Sequence, residues 1–134
     1  MTPVASTYEL FSARVRATLP VALCTVIEGP GNGATLAITP DGALSGSLGN
    51  GELDRVVVRD AVGELEAART VVRHYGPHGE STPEDLQDTP TVRVFIASFS
   101  PPPRMWIFGA VDFTAALAKV AKVLGYHVVV CDAR

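Results

Sequence analysis

The stretch that most constrains the fold is the last one. After Pro101, Pro102 and Pro103 the chain reads RMWIFGAVDFTAALAKVAKVLGYHVVVCDAR. An apolar run, a glycine, an amphipathic segment, a second apolar run and an acid follow one another. This order predicts a strand over 105–108, a turn at Gly109, a helix from 112 to 124 and a strand over 126–131. Asp112 is placed to cap the helix. Leu117, Val120, Ala121 and Leu124 form its apolar face, expected to be buried. Lys119 and Lys122 lie toward its C-terminal end, and Gly125 closes it. The result is a partial Rossmann-like βαβ unit. One such unit cannot bury both faces of its own sheet. Its strands are therefore expected to find neighbours outside it, most simply in a second copy of the chain.

The acid Asp132 falls at the end of the second strand, where ribose-binding acids sit in nucleotide-binding folds. The phosphate turn is less complete. Against G-x-G-x-x-G only Gly109 matches, with Val111 and Thr114 at the second and third glycine positions. Val111 puts a β-branched side chain where a pyrophosphate needs close backbone approach, and Asp112 adds a negative charge nearby. A structural βαβ unit is preferred over a dinucleotide site, and NAD(P) stands behind other cofactors.

Upstream, Ser6-Thr7-Tyr8-Glu9 fits a capping box, and Tyr8, Phe11, Val15 and Leu19 recur at helical spacing. A helix is expected over 7–18, closed by Pro20. VALCTVI, residues 21–27, is a continuous apolar run of strand length. A glycine-rich loop over 28–33 leads to a hairpin, with strands over 34–39 and 43–48 and a turn at Pro40-Asp41-Gly42. After Gly49-Asn50-Gly51 the spacing of Leu53, Val56, Val57, Ala61, Leu65, Ala68 and Val72 predicts one long helix over 52–73. Asn50 is its N-cap, and Glu52 and Asp54 suit its first turn. Residues 76–90 are polar, with Pro77, Pro83 and Pro90 among Glu80, Glu84, Asp85 and Asp88, and read as a surface loop. A strand over 91–99 and the stiff Ser100-Pro101-Pro102-Pro103 segment follow.

The expected class is α/β: a β-rich N-terminal domain over 1–99 with flanking helices, a proline linker over 100–103, and the partial Rossmann-like unit over 104–134. At 134 residues the chain can bury a real core. Its 47% hydrophobic content and mean hydropathy of +0.24 suggest surface reserved for a partner or a self-contact. A net charge of −3, with no basic block, argues against nucleic acid. The N-terminus has no signal-peptide pattern, and no apolar run approaches the ~20 residues of a membrane span, so a cytoplasmic protein is expected. Cys24 and Cys131 lie inside apolar runs and read as buried, reduced thiols.

The second informative stretch is Gly46-Ser47-Leu48-Gly49-Asn50-Gly51-Glu52, between strand and helix. Small residues admit a ligand close to the backbone, and free N–H groups at a helix start can hold an anion. A plain strand-to-helix connection with a good cap explains the same residues and is preferred. His74 and His78 are four apart, but Gly76 and Pro77 between them make both loop residues rather than a metal pair. No nucleophile elbow is present, and Cys24 in mid-strand is a poor setting for a thiolate.

Taken together, ALCTVIEGPGNGATLAITPDGALSGSLGNGELDRVVV, SFSPPPRMWIFGAVDF and AALAKVAKVLGYHVVVCDAR resemble the xanthine dehydrogenase accessory factor family, XdhC/CoxI-type, in a divergent and short form. The resemblance implies a β-rich N-terminal domain, a Rossmann-like C-terminal domain and a chaperone-like maturation role for a molybdenum hydroxylase. It implies binding of the molybdenum cofactor or of the apo-enzyme, rather than enzymatic activity. The family's turn reads Ser-Gly-Gly-Cys-x-Glu; here Gly49, Asn50, Gly51, Glu52, Leu53 and Asp54 stand there. A second family motif, Cys-Gly-Gly, is replaced by Asp88-Thr89-Pro90. A carboxylate does not replace a soft thiolate, so the role is carrying and positioning without covalent chemistry.

Three functions follow. The first is an accessory protein that binds cofactor or a hydroxylase subunit through Gly46, Ser47, Gly49, Asn50, Gly51 and Glu52 and a cleft beside Gly109, Ala110, Asp112 and Asp132. The second is a small nucleotide-binding module, with Gly109 at the phosphate and Asp132 on the ribose. The third is a non-catalytic interaction module, a homodimer or strand exchange through the open βαβ edges.

Overall fold

A computed structural model describes residues 4–80, 91–109 and 112–132. They form two compact units, Met1–Ser100 and Pro101–Arg134. The fold is mixed α/β.

In the first unit, α1 (Thr7–Arg16) begins at the expected capping box. Ser6 Oγ accepts from Glu9 N–H at 3.1 Å, and Glu9 Oε2 accepts from Ser6 N–H at 2.6 Å. The strands are β1 (Val21–Glu28), β2 (Thr35–Thr39), β3 (Gly42–Gly46), β4 (Val71–Tyr75) and β5 (Val92–Phe99), with α2 (Gly51–Glu66) between β3 and β4. They make one antiparallel sheet in the order β3-β2-β1-β5-β4. The apolar run of β1 therefore lies at the centre, paired with β2 on one side and β5 on the other. α2 joins one edge strand to the other and covers the face between them. Ala22, Cys24 and Val26 of β1, Leu36 and Ile38 of β2, and Val92, Val94 and Ile96 of β5 share that face in register. They pack with Leu53, Val57, Ala61 and Leu65, which recur at helical spacing on α2.

One expectation fails here. The helix predicted over 52–73 ends at Glu66, and β4 occupies the last part of that range. The stop is a Schellman motif without glycine. Ala68 takes φ 53°, its N–H donates to Leu65 O, and Arg69 N–H donates to Glu64 O. Val71, Arg73 and Tyr75 then alternate onto the α2 face of the sheet, a period of two that the helical pattern had absorbed. His74, expected in a loop, lies on β4 opposite Arg93.

In the second unit, β6 (Arg104–Phe108), α3 (Asp112–Val123) and β7 (His127–Cys131) make a parallel βαβ unit. α3 ends in the expected glycine stop, with Gly125 at φ 87° and Tyr126 N–H donating to Ala121 O. Asp112 is the first residue of the helix rather than its cap. Of the expected buried face only Ala121 is buried. Thr114 and Ala121 are buried, whereas Leu117, Val120 and Leu124 are 47%, 57% and 68% exposed. Two strands cover only a narrow stripe of a helix, and small residues let it lie close. Cys131 is half-buried, not fully buried as expected, while Cys24 is inaccessible. Among the described residues no helix is long and apolar enough to cross a membrane.

Candidate functional site

β3 ends at Gly46, where a tight approach dictates the residue. Its φ is 94°, and a Cβ there would lie 2.2 Å from Thr35 O and 2.8 Å from Thr7 Oγ1. Ser47 follows, then Leu48, whose side chain is buried in the core of the first unit. Gly49 turns the chain at φ 97° into Asn50, the N-cap of α2. Asn50 Oδ1 accepts from Glu52 N–H at 2.9 Å and Leu53 N–H at 3.5 Å. Its Nδ2 donates to Pro77 O at 3.1 Å, which ties the helix start to the loop after β4. Glu52 Oε2 lies 3.2 Å from His78 Nδ1, a second link between the same two segments.

The turn borders a cleft of ≈ 310 Å³ lined by Pro30, Gly31, Leu48, Gly49, Asn50, Leu53, Pro77 and Val92. The lining comes from four places in the sequence: the loop after β1, the β3–α2 turn, the loop after β4 and the start of β5. Antiparallel register brings all four to one end of the sheet. Among the described residues the lining is mostly apolar and includes no lysine or arginine.

Several donors of the turn are already engaged. Asp54 Oδ2 accepts from Ser47 Oγ at 2.6 Å, and its Oδ1 accepts from Leu48 N–H at 2.7 Å. Gly49 N–H donates to Ser47 Oγ at 3.0 Å. A carboxylate in the first turn of a helix also suits its dipole. Thiol chemistry is remote: burial in the sheet pushes the Cys24 thiol up to about 12. Among the described residues no three His, Cys, Asp or Glu side chains gather to hold a metal ion.

Of the residues singled out in this turn, Gly49 and Asn50 line the cleft, and Glu52 stands beside it on His78. Gly46, Ser47 and Gly51 shape the turn without lining the cleft. The sequence does not single out Pro30, Gly31, Leu48, Leu53, Pro77 and Val92 as site residues. The glycine spacing of 29, 31 and 33 marked a loop but not which loop it would face.

The second unit carries the other candidates. Gly109 N–H donates to Cys131 O at 2.8 Å, so Gly109 and Asp132 lie at the same end of the two-stranded sheet, past the C-termini of β6 and β7. Thr114 Oγ1 donates to Gly109 O at 2.7 Å and closes the turn from the helix side. Asp112 opens α3 and is exposed. Ala110 and Val111 lie outside the described residues, as does Asp88-Thr89-Pro90.

A model of the XdhC and CoxI family matches residues 15–76, which include β1, the hairpin, the 46–52 turn and α2. Among solved structures the chain is similar to a xanthine dehydrogenase from Bacillus halodurans, at 17% identity and a TM-score of 0.44, over 97% of this chain. The chain spans 63% of the length of that protein. No curated protein matches it.

Proposed function

We propose that this chain is an accessory protein for a molybdenum hydroxylase, because residues 15–76 match a model of the XdhC and CoxI family, which is associated with xanthine dehydrogenase maturation. The observation that carries the reading is where the match falls. It contains the β3–α2 turn and six of the eight cleft-lining residues: Pro30, Gly31, Leu48, Gly49, Asn50 and Leu53.

The resemblance implied two possible ligands for that surface, cofactor or apo-enzyme. The residues at the turn do not fit the molybdenum cofactor, an anionic group with a phosphate and a thiolate-bound metal. Four of the N–H donors its phosphate would use, those of Leu48, Gly49, Glu52 and Leu53, are already spent on the chain's own oxygens. Glu52 and Asp54 would repel it, and the cleft lining offers no cation and no thiol. The ligand is therefore the apo-enzyme. An apolar cleft with a polar rim receives a protruding apolar side chain of a partner protein. The role is chaperone-like and non-covalent.

The test is capture of a molybdenum hydroxylase by the full chain. The cofactor-free subunit should be retained, and Pro30→Asp, which puts a charge on the exposed rim of the cleft, should lose it. Failure to retain any hydroxylase subunit, loaded or empty, sinks the reading.

A second reading belongs to the other unit. Because Gly109 and Asp132 share one end of the β6–β7 sheet, a nucleoside phosphate could lie across it. Titration with NAD, NADP and nucleoside phosphates decides this; absence of saturable binding at millimolar ligand removes it. Homodimerisation is part of the proposal and is placed on the same unit, through its exposed apolar helix stripe.

A further inference from the structure

Residues 76–80, just after β4, form a strap across the first turn of α2. The strap closes on itself, with Gly76 N–H donating to Glu80 O at 2.6 Å and Gly79 N–H to Gly76 O at 3.0 Å. It lies flat on the helix. Gly79 is buried at φ 84°, and a Cβ there would come within 3.2 Å of Glu52 O and 3.3 Å of Leu53 Cα. Pro77 of the strap is one wall of the cleft. Two side-chain contacts tether that wall: Asn50 Nδ2 to Pro77 O at 3.1 Å, and His78 Nδ1 to Glu52 Oε2 at 3.2 Å. The first is neutral at any ordinary pH. The second is not, because imidazole changes its charge near neutrality while carboxylates keep theirs. Two carboxylates face His78: Glu52 from α2, and Glu80 from the strap, whose Oε2 also accepts the His78 N–H at 3.0 Å.

We infer that Glu52 and His78 form a protonation-dependent clip on the Pro77 wall of the cleft: the charged imidazole holds the strap on α2 and keeps the cleft in shape for a client, and the neutral one lets the strap open more often. Neither residue lines the cleft, so both are positioning residues that act through Pro77. The inference takes from the accessory-protein reading only that the cleft receives a client; the clip belongs to the strap and the helix. The charged ring meets Glu52 only in the closed strap, so closure and proton uptake favour each other. The added hold is present in mild acid and is lost as pH rises through the neutral range. His78 and Glu52 are 71% and 62% exposed, so the gain is that of a surface pair, about two- to fivefold in strap opening.

Hydrogen exchange of the full chain, followed by NMR at the Gly79 N–H and the Asn50 side-chain amide and corrected for the intrinsic pH dependence of exchange, reads strap opening. Protection should be about two- to fivefold higher near pH 6 than near pH 8. His78→Gln keeps a donor and removes the titration, so its profile should be flat. Glu52→Gln keeps an acceptor, and its own N–H on Asn50, and should flatten most of the profile. His74 and His127 stay in both variants, so a pH dependence that survives His78→Gln belongs to them and overturns the inference. A flat wild-type profile, or an unchanged one in Glu52→Gln, does the same. Capture of the cofactor-free hydroxylase subunit should follow the wild-type trend and lose it in His78→Gln. A subunit captured equally at both pH values while the strap responds overturns the link to the cleft, and the inference with it. If no hydroxylase is captured, the accessory reading falls, and the exchange profile decides the clip by itself.

Discussion

Gly46 shows how one residue can hold a whole turn in place. The close approach of the β2 backbone leaves no room for a Cβ, and the positive φ disfavours any other residue. Gly46→Ala should therefore destabilise the first unit by about 1–3 kcal/mol, read as a lower urea midpoint with little change in slope. Glu64 makes a different residue-scale case. Its side chain is only 2% exposed, yet it is ionised, because Arg69 at 2.8 Å and Arg73 both reach it. The hydrogen bond from Arg69, then that from Arg73, holds its carboxyl below the usual glutamate range. A lowered folded pKa means stabilisation that is complete above the unfolded value of about 4.3 and is lost as pH falls through the folded value. Glu64→Gln should thus cost about 1–2 kcal/mol at neutral pH, modest because both arginines are partly exposed. The difference from wild type should shrink toward zero in acid, as pH-dependent denaturation would show.

At the scale of elements, the end of α2 is the instructive case. α1, α2 and α3 all stop in Schellman turns, but only α3 uses glycine; α1 and α2 put Thr18 and Ala68 in the left-handed conformation. Ala68→Gly should relieve that strain and stabilise the first unit by about 0.5–1 kcal/mol, measurable as a rise in Tm. A loss of stability would mean that the flexibility glycine brings to the unfolded chain outweighs the relief. The same turn explains what was legible here. Caps that use side chains, Ser6 with Glu9 and Asn50 ahead of Glu52, can be read directly from residue type. A stop made by an alanine has no signature in residue type, and the apolar spacing of Ala68 and Val72 continued the helix on paper across the start of a strand.

At the scale of the whole molecule, the second unit leaves much of its apolar surface uncovered. Phe113, Leu117 and Val120 follow one another at helical spacing along α3, with Leu124 just past its end, and Phe113 is 82% exposed. Trp106 and Phe108 alternate onto one face of β6 and are also exposed. Exposed apolar stripes of this kind mark an interface more often than a bare surface. The proposed occupant is a second copy. Phe113→Lys combined with Leu117→Lys should convert a dimer to a monomer in light scattering while leaving the first unit's denaturation unchanged. A wild type that scatters as a monomer at high concentration would remove the dimer.

The sequence by itself determined what is decided over a few residues. The capping box, the Pro40-Asp41-Gly42 hairpin, the N-cap at Asn50, the glycine stop at Gly125 and the strand–helix–strand order of the second unit all rest on short-range chemistry. It also carried the resemblance that the family match upholds over residues 15–76. The tertiary structure alone decided which segments meet. β5 lies beside β1 although some seventy residues separate them, and that pairing places Val92 and Pro77 around a cleft whose other wall is the β3–α2 turn. It decided which stripe of α3 is buried, because a helix on two strands is covered only where they reach. It decided, too, that the Ser47 hydroxyl and Leu48 N–H are spent on Asp54. Residue types announce donors and acceptors; only the folded geometry says which of them are already paired.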